Sequence, residues 1–298
     1  LLELLDHPRR ERALAGVGTA RARPLALDWC LVHVQVLASG SGGNAVLVRA
    51  GELCLLVDAG LPIDELERRL AAVRLPPQRL DAIALTHGHL DHARSAGLLA
   101  KKSGARLYCS ESVMSNASVR AARAFHALPG NGTVSVRARH GRDELALTSI
   151  ALPHDAEPTL AFRLEHAGRR AAICTDMGEP ERGAAAALSD VELLVLEFNH
   201  DPEMLARGPY SEALKRRVGG PRGHLSNAQA AEVLRMAARA ANGRAPVLHT
   251  LVLAHLSATN NRPELALASA RGALEECSLA HARVLVAEQD RPGPSLEV

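Results

Sequence analysis

Thr86-His-Gly-His-Leu-Asp-His92 sets three imidazoles and a carboxylate within six consecutive positions. A short apolar run at 82–85 leads into this segment, and a helical pattern from about 93 to 102 leads out of it. A turn from strand to helix can aim neighbouring side chains into one cleft, which neither a regular strand nor a regular helix can do. Neutral imidazole and carboxylate are ligands of Zn, Mn and Fe, so the chemistry this turn points to depends on a metal.

Two other segments carry polar groups in suggestive places. Gly223-His-Leu-Ser-Asn227 directly precedes a helix expected at 227–240, and Ser226 with Gln229 forms an S-x-x-Q capping box. His224 thereby stands next to a helix N-terminus. Its free N–H groups and positive dipole suit a phosphate, with Ser226 and Asn227 as candidate contacts. An ordinary N-cap beside a loop histidine has the same sequence. Ser39-Gly-Ser-Gly-Gly-Asn44 carries three glycines. It either lets backbone approach a ligand closely, through Ser39, Ser41, Gly42 and Asn44, or makes a plain tight turn.

The elements that must hold these residues follow from apolar patterning. Strands are expected at 32–37, 45–49, 53–57, 82–85, 106–109, 133–139, 145–152, 160–165, 171–174, 191–198 and 247–253. Helices are expected at 64–73, 93–102, 201–206, 211–218, 227–240 and 263–276. A strand-rich first half with grouped helices reads as an α/β protein, an αββα sandwich of two mixed sheets flanked by helices. Residues 1–30 read as an N-terminal extension, 31–290 as one domain, and the Pro- and Gly-rich 291–298 as a flexible tail.

Composition bounds the partners. At 298 residues, 47% hydrophobic and 23% charged, the chain matches an ordinary globular protein. Lys plus Arg total 35 against 33 Asp plus Glu, and the resulting charge of +2 steers little over long range. Six aromatics argue against an extended groove of stacking platforms. Lys101-Lys102 and Lys215-Arg-Arg217 are local basic clusters. Five cysteines with no C-x-x-C pair fit reduced thiols and a cytoplasmic location. No apolar run approaches the ~18 residues of a membrane span, so no membrane partner is expected.

The Thr86–His92 segment resembles the H-x-H-x-D-H signature of the metallo-β-lactamase fold superfamily. The resemblance implies that His87 and His89 bind one ion and that Asp91 and His92 bind a second. It also implies three later ligands at strand ends. His154 in Leu152-Pro-His-Asp-Ala156, Asp176 in Cys174-Thr-Asp-Met-Gly178 and His255 in Leu251-Val-Leu-Ala-His-Leu-Ser257 stand in that order, with Asp176 as the bridge. Burying such groups is tolerated when they coordinate a metal.

Val36-Leu-Ala-Ser-Gly-Ser-Gly-Gly-Asn-Ala45, Leu56-Val-Asp-Ala-Gly60, Leu196-Glu-Phe-Asn-His-Asp201, Gly223-His-Leu-Ser-Asn227 and His255-Leu-Ser-Ala-Thr-Asn-Asn261 narrow the resemblance. They are similar to the bacterial YycJ/WalJ-type (VicX-like) proteins, related to the tRNase Z and RNase J nucleases, over roughly residues 32–290. That subgroup implies a dinuclear-metal phosphodiester hydrolase, a 5′→3′ DNA exonuclease with a role in DNA repair. Its cofactors are two divalent ions (Zn, Mn or Fe), its nucleophile is a metal-bridging hydroxide, and DNA is favoured over RNA as its partner. By the same resemblance His224 assists the departing oxygen, Glu197 supports His224, and Asp91 handles a proton. Asp58, Asn199, His200, Asn260 and Asn261 fall beside the site as hydrogen-bonding supports. The alternative is a small-molecule hydrolase of the same fold, acting on a thioester, lactone or cyclic phosphodiester. Near-neutral charge and scarce aromatics lean toward it, because duplex binding draws on phosphate-neutralising cations. A non-catalytic protein retaining a structural metal is the third reading.

Overall fold

The computed structural model describes residues 31–156, 158–241 and 247–298; the expected N-terminal extension and Cys30 lie outside them. Strands β1 (Val32–Ala38), β2 (Ala45–Ala50) and β3 (Leu53–Val57) form an antiparallel meander, extended in parallel by β4 (Ala82–Ala84), β5 (Arg106–Cys109) and β6 (Phe125–Ala127). A second sheet begins with antiparallel β7 (Gly132–Arg137), β8 (Glu144–Leu152), β9 (Thr159–His166) and β10 (Arg169–Cys174). Parallel β11 (Leu193–Glu197), β12 (Thr250–Ala254) and β13 (Arg283–Val286) complete it. The last strand, β14 (Leu296–Glu297), crosses back to pair with β1. The helices are α1 (Ile63–Ala72), α2 (Leu90–Ala93), α3 (Ala96–Ser103), α4 (Glu111–Met114), α5 (Arg182–Ala187), α6 (Pro202–Arg207), α7 (Glu212–Val218), α8 (Asn227–Ala240) and α9 (Pro263–Glu276).

Strands covered on both faces must be apolar throughout rather than alternating. Leu53-Cys-Leu-Leu-Val57 and Leu193-Leu-Val-Leu196 are such runs, and every residue in them is buried. Val34, Leu55 and Val57 of the first sheet share a core with Leu147, Phe162 and Val195 of the second. The outer face of the first sheet packs Leu56 and Ile83 with Leu66, Leu70 and Leu99 from α1 and α3. That of the second packs Leu196 and Leu253 with Val233, Leu234 and Leu274 from α8 and α9. The four layers are the expected αββα sandwich.

Two expectations are corrected. The helix foreseen over 93–102 breaks at Ser95, whose N–H donates to the Ala59 carbonyl and whose hydroxyl donates to the Leu61 carbonyl, so the turn carrying Asp91 and His92 is a separate short helix. Residues 291–298 are not a flexible tail. The Gly293 N–H donates to the Val36 carbonyl, Leu296 pairs with Val34, and Val298 is buried. Leu296 and Val298 point one way and Glu297 the other, the period of a half-buried strand too short to stand out beside two prolines.

Candidate metal centre

Residues at the ends of six strands meet at one rim of the sandwich. His87 follows β4, Asp58 follows β3, His154 follows β8, Asp176 follows β10, Glu197 ends β11 and His255 follows β12. Asp58, Asp176 and His255 adopt left-handed backbone, with φ of 62°, 59° and 53°. For residues other than glycine this conformation costs on the order of 1–3 kcal/mol and persists where the surroundings over-determine it. Each kink falls one or two residues past its strand, where the side chain must leave the sheet.

The donor atoms of His87, His89 and His154 lie within 4.8 Å of one another, and so do those of Asp91, His92 and His255. Asp176 stands between the two groups. Its Oδ2 is 2.7 Å from His92 Nε2 and 3.9 Å from His87 Nε2, while Oδ1 is 3.5 Å from His255 Nδ1. The seven foreseen positions therefore converge. Their chemistry fits divalent cations on a direct observation: Nε2 of His87, His154 and His255 is buried without a hydrogen-bond partner, and the buried oxygens of Asp176 meet imidazole nitrogens. Buried polar atoms are almost always satisfied, and a set of lone pairs facing one another needs a cation.

The opposite imidazole nitrogens are held. His92 Nδ1 donates to Asp58 Oδ2 at 2.8 Å, and His154 Nδ1 donates to the Gly223 carbonyl at 2.8 Å. His87 Nδ1 lies 3.0 Å from the Thr86 hydroxyl, which donates in turn to Asp58. Asn199 touches His255 Nδ1 at 3.1 Å and donates to its carbonyl at 2.9 Å. Such contacts fix the tautomer and aim the free nitrogen inward.

Burial pushes the His87 pKa well below the usual imidazole value, with His92 adding to the effect, and burial likewise lowers His89. His92 and His255 go the other way. Burial opposes their protonation, but Asp176 acting with Asp58 on His92, and with Asp91 and Glu197 on His255, outweighs it, lifting His92 well above the ordinary value and His255 to about 9. Without cations, protons balance the buried carboxylates.

Beside the donors, His224 Nδ1 is 2.8 Å from Glu197 Oε1 and 3.1 Å from Asp176 Oδ1. Glu197 is fully buried and also accepts from the Met177 and Leu225 amides. Burial opposes both charges, yet their pairing prevails, raising His224 to about 11 and lowering Glu197 to about 2. His224 lines a cleft of about 350 Å³ that also touches His89, Asp91, Asp176 and His255.

The remaining foreseen positions divide. Ser41 lines the cleft, and the Ser39 hydroxyl accepts from the His255 amide at 2.7 Å. Asp58 and Asn199 touch donors as expected. Four others foreseen as phosphate contacts are engaged within the protein. The Gly42 amide donates to Gln289 Oε1. Asn44 is buried, accepting from the Gly40 amide and lying 3.0 Å from His92 Nε2, so it locks the ligand turn. Ser226 and Gln229 make the capping box, the Asn227 amide donates to the His200 carbonyl, and the Asn227 side chain pairs with Asn261. The N-terminus of α8 is thus satisfied from within. His200 and Asn260 touch no donor of the site: His200 bridges to Ser226, and the Asn260 carbonyl accepts from the Asp201 amide.

Sequence reasoning passed over Thr86, Asp155 and Arg222 as site residues, and noted Arg217 only within the basic cluster Lys215-Arg-Arg217. Asp155 Oδ1 lies 3.4 Å from His89 Nε2 and 3.3 Å from His154 Nε2, and its other oxygen accepts from Arg217 Nε at 2.6 Å. Arg222 donates twice to the His154 carbonyl. An acid directly following a foreseen ligand could have pointed to Asp155; nothing local in the sequence ties Arg217 or Arg222 to the ligand turn.

An αββα sandwich with His and Asp donors gathered at its strand ends is the architecture of a metal-dependent hydrolase. Residues 38–239 match the family described as the metallo-beta-lactamase superfamily, and the chain belongs to that superfamily. It is 32% identical over 243 residues to an exodeoxyribonuclease WalJ of Streptococcus pneumoniae serotype 2, covering 78% of this chain and 84% of the relative. It is 33% identical over 251 residues to an exodeoxyribonuclease YycJ of Bacillus anthracis, covering 82% and 90%. Among solved structures, the metallo-beta-lactamase fold protein YhfI of Bacillus subtilis superposes with a TM-score of 0.63 at 17% identity, over 90% of this chain and 99% of that one.

Proposed function

We propose that the chain is a dinuclear-metal phosphodiesterase acting on DNA, a 5′→3′ exonuclease serving DNA repair; the exodeoxyribonuclease names of its WalJ and YycJ relatives support the DNA exonuclease part of this reading. His87, His89 and His154 would hold one ion, Asp91, His92 and His255 the other, with Asp176 shared. Zn, Mn and Fe all suit this donor set. When bound, such ions supply Lewis acidity and a water of lowered pKa.

The observation that carries the reading is the His224–Glu197 pair at 2.8 Å, set against Asp176. Nδ1 is engaged by the two carboxylates, so Nε2 is the nitrogen left for the cleft. Attack of water on phosphorus breaks the bond to the departing oxygen, which takes a proton from His224 Nε2. Glu197 stabilises the imidazolium before transfer, and Asp91, which lines the cleft, accepts the proton leaving the attacking water. A thioester expels a thiolate, which leaves without this second acid. The cleft also carries Arg94 and Arg217, cations matched to phosphate. Its modest size leaves small-molecule hydrolysis as the competing reading.

The deciding experiment offers the Mn- or Zn-loaded chain 5′-phosphorylated DNA alongside thioester and lactone substrates. Nucleotide release that His89→Ala abolishes supports the nuclease. Thioester or lactone turnover with DNA left intact overturns it.

A further inference from the structure

The cleft wall facing the donors is built by α7 and the turn before it. Leu214 and Arg217 of α7 line the cleft, with Tyr210 just ahead of the helix and Arg94 from the turn after α2. No residue of α7 is buried, so this wall owes its place to few contacts. Tyr210 is the one Phe, Tyr or Trp lining the cleft among the described residues, whereas Tyr108, Phe162 and Phe198 are buried within the sandwich. Arg217 is tied to Asp155, but the Arg94 and Tyr210 side chains have no hydrogen-bond or ion-pair partner among the described residues.

Size limits what can enter. About 350 Å³ lies near the lower end of the ~300–1,000 Å³ of small-molecule pockets. A duplex, whose grooves alone are roughly 6–12 Å wide, does not fit. A strand that brings a phosphate to His224 must therefore leave its complement and lose its stacking neighbour. An aromatic face replaces that stacking without reading sequence, because every base has a π-face. A free guanidinium matches a phosphate in two hydrogen bonds. We propose that Tyr210 stacks the base of the unpaired nucleotide at the scissile bond and that Arg94 grips a neighbouring phosphate, a subsite that rests on the nuclease reading above.

The test compares a single-stranded oligonucleotide with bis(p-nitrophenyl) phosphate, using metal-loaded wild type, Tyr210→Ala, Tyr210→Phe and Arg94→Ala. Tyr210→Ala is expected to lose about 5- to 100-fold in kcat/KM on the oligonucleotide, mainly through KM. The loss should be at least fivefold smaller on the small diester, with Tyr210→Phe restoring the difference. A terminal 2-aminopurine should be quenched on mixing with wild type and Tyr210→Phe but not with Tyr210→Ala. Arg94→Ala should flatten the plot of log(kcat/KM) against log salt by about 0.7. Equal losses on both substrates, or unchanged quenching in Tyr210→Ala, overturn the subsite while sparing the nuclease. A wild type that cuts the small diester and leaves the oligonucleotide whole overturns both.

Discussion

His224 meets Glu197 and Asp176 through Nδ1, which leaves Nε2 for the departing oxygen. An acid placed this way matters only when the departing oxygen is basic. His224→Ala is expected to lower nucleotide-diester turnover by about 10²–10⁴-fold, to cost much less on a p-nitrophenyl diester, and to keep the metals. Metal analysis showing loss of ions in that variant would refute the role. A second expectation concerns pH. His92 and His255 hold protons in the cation-free chain, with His255 titrating near 9, and a ligating imidazole must be neutral. Metal uptake therefore releases protons, and affinity rises with pH by about tenfold per unit for each proton displaced, the His255 share ending above pH 9. Calorimetric titrations in buffers of different ionisation enthalpy measure that release, and a buffer-independent heat would contradict it. The pairing of His224 with Glu197 followed from resemblance. The second contact of His224, to Asp176, arises only where two strand ends meet.

At the scale of elements, the ligand turn is held by backbone. The Asn44 amide donates to the Asp91 carbonyl at 2.8 Å and the Ala59 amide to the His92 carbonyl at 2.7 Å. A Cβ on Gly60 would fall 1.6 Å from the Asp91 carbonyl oxygen. Gly60→Ala must push the α2 turn away from the sheet, so thermal melting should show strong destabilisation together with reduced metal content; a variant of wild-type stability and full metal content would show the turn to be freely movable. Asp58→Ala removes the acceptor of His92 Nδ1 and should weaken metal binding about 10- to 100-fold by competition with a chelator. An unchanged affinity would deny Asp58 that role. Strand ends were legible to within one residue wherever a chemical residue follows an apolar run, as at Ala84, Cys174 and Ala254. Helix α5, Arg-Gly-Ala-Ala-Ala-Ala, was not legible, because small side chains leave no apolar stripe and its cap is Glu181 rather than Ser or Thr. The internal partners at the α8 N-terminus were not legible for a related reason: a sequence shows which amides a cap could leave free, not that the His200 carbonyl takes one of them.

For the whole molecule, the formal charge of +2 hides how charge is distributed. Lys102 pairs with Glu67 on the outer helices, while Arg94 and Arg217 come together at the cleft from positions far apart in the chain. Composition cannot show that. Among the described residues no helix is long and apolar enough to cross a membrane. Because both sheets deliver donors, a cation at the centre ties the halves together and should stabilise the fold by about 2.7 kcal/mol at a free concentration 100 times its Kd. Chelation should lower the melting temperature accordingly, and a melting curve indifferent to chelator would deny the coupling. The most direct measurement is anomalous diffraction from crystals of the Mn- or Zn-loaded chain. Two peaks are predicted, one bounded by His87, His89 and His154, the other by Asp91, His92 and His255, with Asp176 between them. Peaks elsewhere, or none within reach of His154 and His255, would contradict it.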